Sequence, residues 1–393
     1  MRLKINNCGY FFHPYEIAIS GFSNTGKTTL SAKVISQLSK QHKVGYLKND
    51  AHHFNIDYPG KDTSIAREAG AIDTIINDSN RHAYISDTPI EQVDMAQLSR
   101  DNDLLIIEGH KYSKIPKILL IGTDDIRSKT IEDVNSGKIT NILAIITEEE
   151  SSISDKEFSY LNVPVFQRDQ INRISSFVEN HLKSLIPTKV YGLVLSGGKS
   201  QRMKEDKGGL IYFEKDQVTH TVDLLKPFCD DVFVSCRKEQ ENHDFIKTHN
   251  QIHDNFPSVG PSSGILSAMH KYPDASWIIL ACDLPYVERE TLTKLINHRN
   301  PFKMATCYLN PTRGWPEPLC TIYEPKSYQR ILQYFAQGLP CPRKVLFNSE
   351  IHALRLDNKM NLNNINTPEE FVQAKSILKK KKISLPQENI YEN

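Results

Sequence analysis

The sequence is poor in the features that mark secreted, membrane-spanning or nucleic-acid-binding chains. Its seven cysteines are odd in number, scattered, and never spaced Cys-x-x-Cys. That pattern argues for reduced thiols and against a disulfide framework or a zinc site. Excess charge of one sign is missing as well. The 48 Lys and Arg stand against 47 Asp and Glu, a formal net charge of +1, so the balance offers no basic footprint for nucleic acid. The longest apolar runs, such as Leu104–Ile107 and Trp277–Ala281, are strand-sized, whereas a bilayer span takes about 20 apolar residues. Met1–Ser20 carries Glu, Asn and His where a signal peptide has an apolar core. Internal repeats, low-complexity tracts and a long Gly/Ser linker are absent too. These absences leave a soluble, cytoplasmic α/β chain as the expectation, with no membrane or nucleic-acid partner. At 393 residues it is too long for one ordinary core and sized for two domains.

What is present centres on Tyr191–Lys207. Gly192 to Leu195 read as a buried parallel strand, and Ser196-Gly197-Gly198 breaks it with two residues that lack a Cβ. Such a turn lets backbone N–H groups approach an anion closely. Arg202 and Lys207 follow and can bring two cations to whatever Leu195–Gly198 holds, a triphosphate by its chemistry. The cations come several residues after the glycines, unlike the order of a Walker loop.

A second phosphate device lies earlier. Tyr15–Ser20 reads as a strand entering Gly21-Phe-Ser-Asn24-Thr25-Gly26-Lys27-Thr28, a complete G-x-x-x-x-G-K-T. In that pattern amides cradle the phosphates, Lys27 reaches the β/γ oxygens, and Thr28 can ligate Mg²⁺. Thr29 is a further nucleotide-binding candidate, and a helix follows with Leu30, Val34, Ile35 and Leu38 on one face. Leu104–Glu108 reads as an apolar strand ending in a carboxylate, placed for Mg²⁺ or water. His52 and His53 beside Asp50 suggest a metal, but neighbouring side chains of an extended segment point opposite ways, which favours a loop or a substrate contact.

The boundary falls at Lys183–Lys189, where a helix ends and Pro187 intervenes. We expect domains over 1–184 and 188–380, with a disordered tail over 381–393. In the second domain, Asp231–Ser235 and Ile252–Asp254 read as strands, with a helix over Ile265–His270. Trp277–Cys282 is an apolar strand with Asp283 just past its C-terminal end, where open α/β sheets place ligands. Thr367-Pro-Glu-Glu370 forms a capping box. The helix after it should bury Phe371, Ala374, Ile377 and Leu378. The segment before Tyr15 is expected to be an extra strand or hairpin.

The stretch Leu195–Lys207 resembles the L-A-G-G-x-S-x-R-M-G-x-D-K signature of molybdenum cofactor guanylyltransferases, the MobA family. Ser196 replaces its Ala and Lys204 its last Gly. Gly21–Thr29, Lys48, His52-His53, Pro59–Thr63, Ala69–Ala71 and Glu108–Lys111 resemble the molybdopterin-guanine dinucleotide adaptor family, MobB, with Asn49 where a His is usual. The paired resemblance implies a P-loop NTPase-like domain that binds GTP, followed by a Rossmann-like nucleotidyltransferase domain. It implies that Asp283 binds Mg²⁺, that Asp254 contacts the nucleotide with a weaker contribution at Ser235, and that Asn364 and Asn366 contact cofactor or nucleotide. Glu317 stands near a His-Pro of the family, so pterin contacts are left unassigned. The implied reaction joins GMP from GTP to molybdenum-molybdopterin, releases pyrophosphate, and supplies client molybdoenzymes. Catalysis would fall to Arg202, Lys207 and Asp283. A cytidylyl- or sugar-phosphate transferase fused to a P-loop domain, and a non-catalytic GTP-binding delivery scaffold, are the alternatives.

Overall fold

A computed structural model of the chain describes residues 11–48, 56–148, 158–196, 206–256 and 260–384. It divides into two compact units, Met1–Leu185 and Ile186–Asn393.

The first unit strings together β1 (Glu16–Ser20), α1 (Lys27–Leu38), β2 (Val44–Lys48), α2 (Asp62–Glu68), β3 (Asp73–Asn77), β4 (His82–Ser86) and α3 (Gln92–Ser99). It continues through β5 (Leu104–Glu108), β6 (Lys117–Leu120), α4 (Asp124–Asn135), β7 (Ile142–Thr147), β8 (Val165–Gln167) and α5 (Ile171–Ser184). Six strands make a parallel sheet in the order β2-β5-β1-β6-β7-β8. Every residue of β1, β5 and β6 is buried, which is why these strands read as continuous apolar runs rather than alternating ones. Helix α5 closes over the sheet with Ile174, Val178 and Leu182, a four-residue repeat that puts one stripe inward. The antiparallel pair β3-β4 forms a separate two-stranded sheet; its polar, alternating sequence had not marked it as a hairpin.

The second unit opens with β9 (Val190–Leu195), α6 (Gln217–Leu225), β10 (Asp231–Cys236), β11 (Asn250–His253), α7 (Pro261–Lys271) and β12 (Ser276–Ala281). Then come α8 (Arg289–Asn297), β13 (Ala305–Leu309), β14 (Pro316–Tyr323), α9 (Ser327–Ala336), α10 (Pro342–Phe347), β15 (Ile351–Arg355) and α11 (Pro368–Ser384). The sheet order is β11-β10-β9-β12-β14-β13-β15. The first four strands are parallel and β14 is antiparallel to both its neighbours. The chain leaves β9 toward β10 and β11 and returns to its other edge at β12. The ends of β9 and β12 therefore form a topological switch point, where a crevice opens for ligands. Trp277, Tyr308 and Tyr323 are among the largest fully buried side chains of this sheet.

Several expectations need correction. Ile377 is 42% exposed, so the buried stripe of α11 rests on Ala374 and Leu378 with Phe371 half-covered. Helix α7 begins at Pro261, not Ile265, because Pro at the first helical position needs no amide partner and is preset for the turn. Helix α11 continues through Ser384, beyond the expected end of order at Lys380. Of the segment before Tyr15, residues 1–10 lie outside the described residues and 11–14 form no strand; the Phe11, Phe12 and His13 amides are held by the buried Glu16 carboxylate. Asn49, His52, His53, Gly197, Gly198, Arg202, Lys204 and the last residues of the tail lie outside the described residues.

Candidate functional site

In the second unit the site grows from the C-terminal ends of adjacent strands. Leu195 ends β9, and the Cys282 amide donates to its carbonyl at 3.2 Å, which sets Asp283 beside the turn that begins at Ser196. Asp206 caps the short turn Lys207–Gly209 by accepting from the Gly208 amide at 3.2 Å. That cap aims Lys207 across the crevice. Its Nζ lies 3.2 Å from Asp283 Oδ2 and donates to Asn366 Oδ1 at 2.7 Å. Asn364 Nδ2 stands 3.5 Å from both oxygens of Asp283, and the Ile365 amide donates to the Asp283 carbonyl at 3.0 Å. The Asn364–Asn366 segment is itself fixed by the Thr367–Glu370 box, each residue bonding the other's amide. A lysine, a carboxylate and two asparagines from three distant parts of the chain thus share one spot.

Further along the rim, Ser196 Oγ donates to the Ser235 carbonyl at 2.7 Å, and Ser235 Oγ donates to Asp254 Oδ1 at 2.7 Å. Burial raises the Asp254 carboxyl; the Ser235 hydroxyl and the charges of Arg237 and His253 oppose that rise. Gly264 makes the arrangement possible, since a Cβ there would sit 2.2 Å from Ser235 Oγ and 2.9 Å from a Leu195 methyl.

The first unit builds its site at the β1–α1 turn. Asn24 and Gly26 take the left-handed conformation, which only Gly and, less readily, Asn adopt at low cost. Gly21 packs so closely that a Cβ would fall 2.7 Å from Thr25 Oγ1. Lys27 Nζ donates to the Phe22 carbonyl at 2.7 Å, and Thr28 Oγ1 donates to Glu108 Oε1 at 2.8 Å. Thr29 is exposed in the first turn of α1. Tyr46 donates to Glu108 Oε2 at 2.6 Å, and Lys48 lies 3.6 Å from Oε1. Burial lowers the Lys27 ammonium, Glu108 counters that, and Lys48 lowers it further. Lys111 sits 3.3 Å from the Phe22 ring centroid, with Lys129 at 5.5 Å. Burial lowers Lys111 first, and Lys27 and Lys129 add to it against Asp133. Cations gathered so closely call for an anion.

Each unit matches a known family. Residues 17–148 match the family described as molybdopterin guanine dinucleotide synthesis protein B, MobB. The Haemophilus influenzae molybdopterin-guanine dinucleotide biosynthesis adapter protein is 31% identical over 172 residues, 42% of this chain and 88% of that protein. The chain belongs to the MobB family. Beyond the MobB domain, residues 192–352 match the MobA-like NTP transferase domain. A molybdenum cofactor guanylyltransferase of Pseudomonas paraeruginosa is 28% identical over 179 residues, 45% of this chain and 90% of that protein. A Synechocystis molybdenum cofactor biosynthesis bifunctional protein is 39% identical over 186 residues, 47% of this chain. That match spans 54%, about half, of the Synechocystis protein's length.

Sequence reasoning missed several residues of the MobB domain. Arg168 Nη2 donates to the Thr25 carbonyl at 2.7 Å from 143 positions away and lies 2.7 Å from Glu148; a Cβ on Gly26 would touch its guanidinium at 3.1 Å. No local pattern announces such a contact. Tyr46 was legible only as a residue of the strand that ends at Lys48. In the MobA-like domain Asp206, the cap behind Lys207, was passed over although it forms part of the D-K pair in the signature.

Proposed function

We propose that the MobA-like domain transfers GMP from GTP to molybdenum-molybdopterin, forming the guanine dinucleotide cofactor and pyrophosphate, and that the MobB domain is a GTP-binding adaptor. The observation that carries the reading is the meeting of Lys207, Asp283, Asn364 and Asn366 at the switch point, inside a domain whose relatives include a molybdenum cofactor guanylyltransferase.

The chemistry asks little more of the protein than alignment and charge. The terminal phosphate of the acceptor is largely ionised near neutral pH, its second pKa being about 6, so it needs no general base. A phosphate oxygen forms a bond to the α-phosphorus of GTP, the α–β bridging bond breaks, and pyrophosphate leaves with its electron pair. Leu195 and Ser196 hold the triphosphate with the glycines that follow, and Ser235 and Asp254 hold the nucleoside. Lys207 and Arg202 offset charge that builds on the leaving group. One cation about 4 Å from a phosphate charge is worth ~4 kcal/mol at an effective dielectric of about 20, before desolvation. The implied Mg²⁺ fits the donor set: Asp283 offers a half-buried carboxylate whose Oδ1, among the described residues, has only the long contact to Asn364, and asparagine carbonyls are hard oxygen donors. Among the described residues no group of three His, Cys, Asp or Glu could cage a metal. The proposed ion would be held by one carboxylate, substrate phosphates and water. When bound, Mg²⁺ would supply charge neutralisation on the phosphates.

In the MobB domain Thr28 and Glu108 meet as a P-loop hydroxyl and a strand-end carboxylate do around a nucleotide's Mg²⁺. The product would pass to client molybdoenzymes in the cytoplasm. Among the described residues no helix is long and apolar enough to cross a membrane. Pyrophosphate release with each of the four nucleotides, with and without molybdenum-loaded molybdopterin, tests the reading. Release with GTP that depends on the acceptor supports it; equal release with a sugar phosphate would replace it by the alternative transferase.

A further inference from the structure

The turn after β5 in the MobB domain carries a lysine that the function above leaves without a task. Strands β1 and β5 pair in parallel with Ile19 opposite Glu108, so the turn that follows β5 runs beside the P-loop that follows β1. Two successive residues of it, Gly109 and His110, take the left-handed conformation, at φ 99° and 53°. Glycine adopts that region freely, whereas histidine does so at a cost that its surroundings must cover. The Gly109 amide donates to the Ile19 carbonyl at 3.1 Å, and the Ser113 amide closes the far side on the His110 carbonyl at 3.0 Å. The buried Phe12 ring packs edge-on against the His110 ring, with 5.5 Å between centroids. What the strained turn achieves is the placing of Lys111, whose Nζ stands 3.3 Å from the centroid of the Phe22 ring.

Phe22 belongs to the P-loop, and its carbonyl accepts from Lys27 Nζ at 2.7 Å. One loop residue therefore carries two ammonium groups, one on its backbone and one on its ring. Lys129 adds a third cation, 5.5 Å from the same centroid. The carboxylate whose charge Lys111 feels, Asp133, is already held by the Tyr112 hydroxyl at 2.8 Å and by Lys138 at 3.2 Å. An ammonium over a ring is held weakly, and a phosphate charge at the same distance attracts it several times more strongly. Lysine can answer that pull, because its ammonium rides on a flexible four-carbon stem. In this loop pattern Lys27 serves the β- and γ-phosphate oxygens, and Lys111 shares its foothold.

We propose that Lys111 reads the γ-phosphate: it leaves the Phe22 ring for the terminal phosphate of a nucleoside triphosphate and keeps to the ring when a diphosphate is bound. Lys111 would thus be the residue by which the MobB domain tells GTP from GDP, with Phe22 as its other seat. The inference rests on the reading of this domain as GTP-binding.

Titration calorimetry of the full chain with GTP and with GDP, both with Mg²⁺, tests it. The P-loop site is the share of binding that the Lys27→Ala chain lacks. At that site the wild type should prefer GTP by about tenfold or more. Lys111→Met keeps the length of the side chain and removes its charge. It should weaken GTP by about tenfold, the usual worth of a charged hydrogen bond, and leave GDP within about twofold, which also shows that the loop is folded. Phe22→Leu removes the ring and keeps an apolar side chain, so it should tighten GTP by about threefold, the worth of the lost ring contact. The proposal falls if Lys111→Met weakens GTP and GDP alike, if it weakens neither, or if Phe22→Leu weakens GTP. A Lys27→Ala chain that binds nucleotide just as the wild type does would remove the GTP-binding reading of the domain and this inference with it. A P-loop site that binds GTP and keeps its preference in Lys111→Met removes the inference alone.

Discussion

Lys207 and Asp283, 76 positions apart in the chain, meet with Nζ 3.2 Å from Oδ2. Both are about four-fifths covered, at 20% and 18% exposure. The same ammonium reaches Asn366 at 2.7 Å, so the lysine ties the Lys207–Gly209 turn, the end of β12 and the turn before α11 into one unit. A pair that only stabilised the fold would have no reason to sit at the mouth of the switch-point crevice. In the proposed reaction it would set a cation and a carboxylate beside the phosphates.

Asp283→Ala should reduce guanylyl transfer by orders of magnitude while the fold persists, since a strand-end carboxylate is no part of the apolar core. Circular dichroism and turnover at saturating Mg²⁺ check both halves. Transfer within about tenfold of wild type, less than ~1.4 kcal/mol in barrier, would take Asp283 out of the mechanism.

Lys207→Ala should weaken GTP binding or slow chemistry while molybdopterin binding persists. Combined with Asp283→Ala its effect should be far from additive, because residues sharing one interaction lose it only once. Loss of molybdopterin binding alone would reverse the placing of the two substrates.

How much of this was legible beforehand can be judged from single residues. Asp283 was found because an apolar strand ending in a carboxylate is a local pattern with a local meaning. The Gly21–Thr28 turn was legible for the same reason, while Gly197 and Gly198 lie outside the described residues. Asn366 under Lys207 spans 159 positions, and no spacing rule reaches that far; only the resemblance pointed to it. Ile377 was misplaced because helical periodicity tells which residues share a face and not how wide the covered stripe is. Arg168 behind the P-loop carried no local signal, since what gives it its meaning comes from another part of the fold.

Gly264→Ala should destabilise the second unit by about 1–3 kcal/mol, the usual cost of overpacking, because the new Cβ would lie 2.2 Å from Ser235 Oγ. It should also loosen GTP binding through the displaced Ser235–Asp254 pair. Chemical denaturation and nucleotide titration read the two effects. A stable variant with normal GTP affinity would mean that the Ser235–Asp254 bond has no bearing on the nucleotide.

Lys117 gives the first unit a pH signature. Its side chain is fully buried, donating to the Ser113 and Thr140 carbonyls at 2.8 and 2.6 Å, and burial pushes its ammonium from 10.5 down to about 8. The folded lysine thus gives up its proton before the unfolded one does. Between those two pH values the unfolded state binds more protons, so stability should rise with pH through that window and be lowest below it. Melting of the full chain across the window, compared with Lys117→Met, isolates the effect. A wild type whose melting changes with pH just as the variant's does would contradict it.

The two units should separate by function. Lys27→Ala should abolish nucleotide binding and any slow GTP hydrolysis by the MobB domain, since Walker chemistry acts at the β/γ bond, yet guanylyl transfer should survive. The most direct measurement supplies that Lys27→Ala chain with molybdenum-loaded molybdopterin and GTP labelled at the α- or the γ-phosphate. The account predicts α-label in the dinucleotide product and γ-label in pyrophosphate. Product free of α-label, with γ-label absent from pyrophosphate, would contradict it.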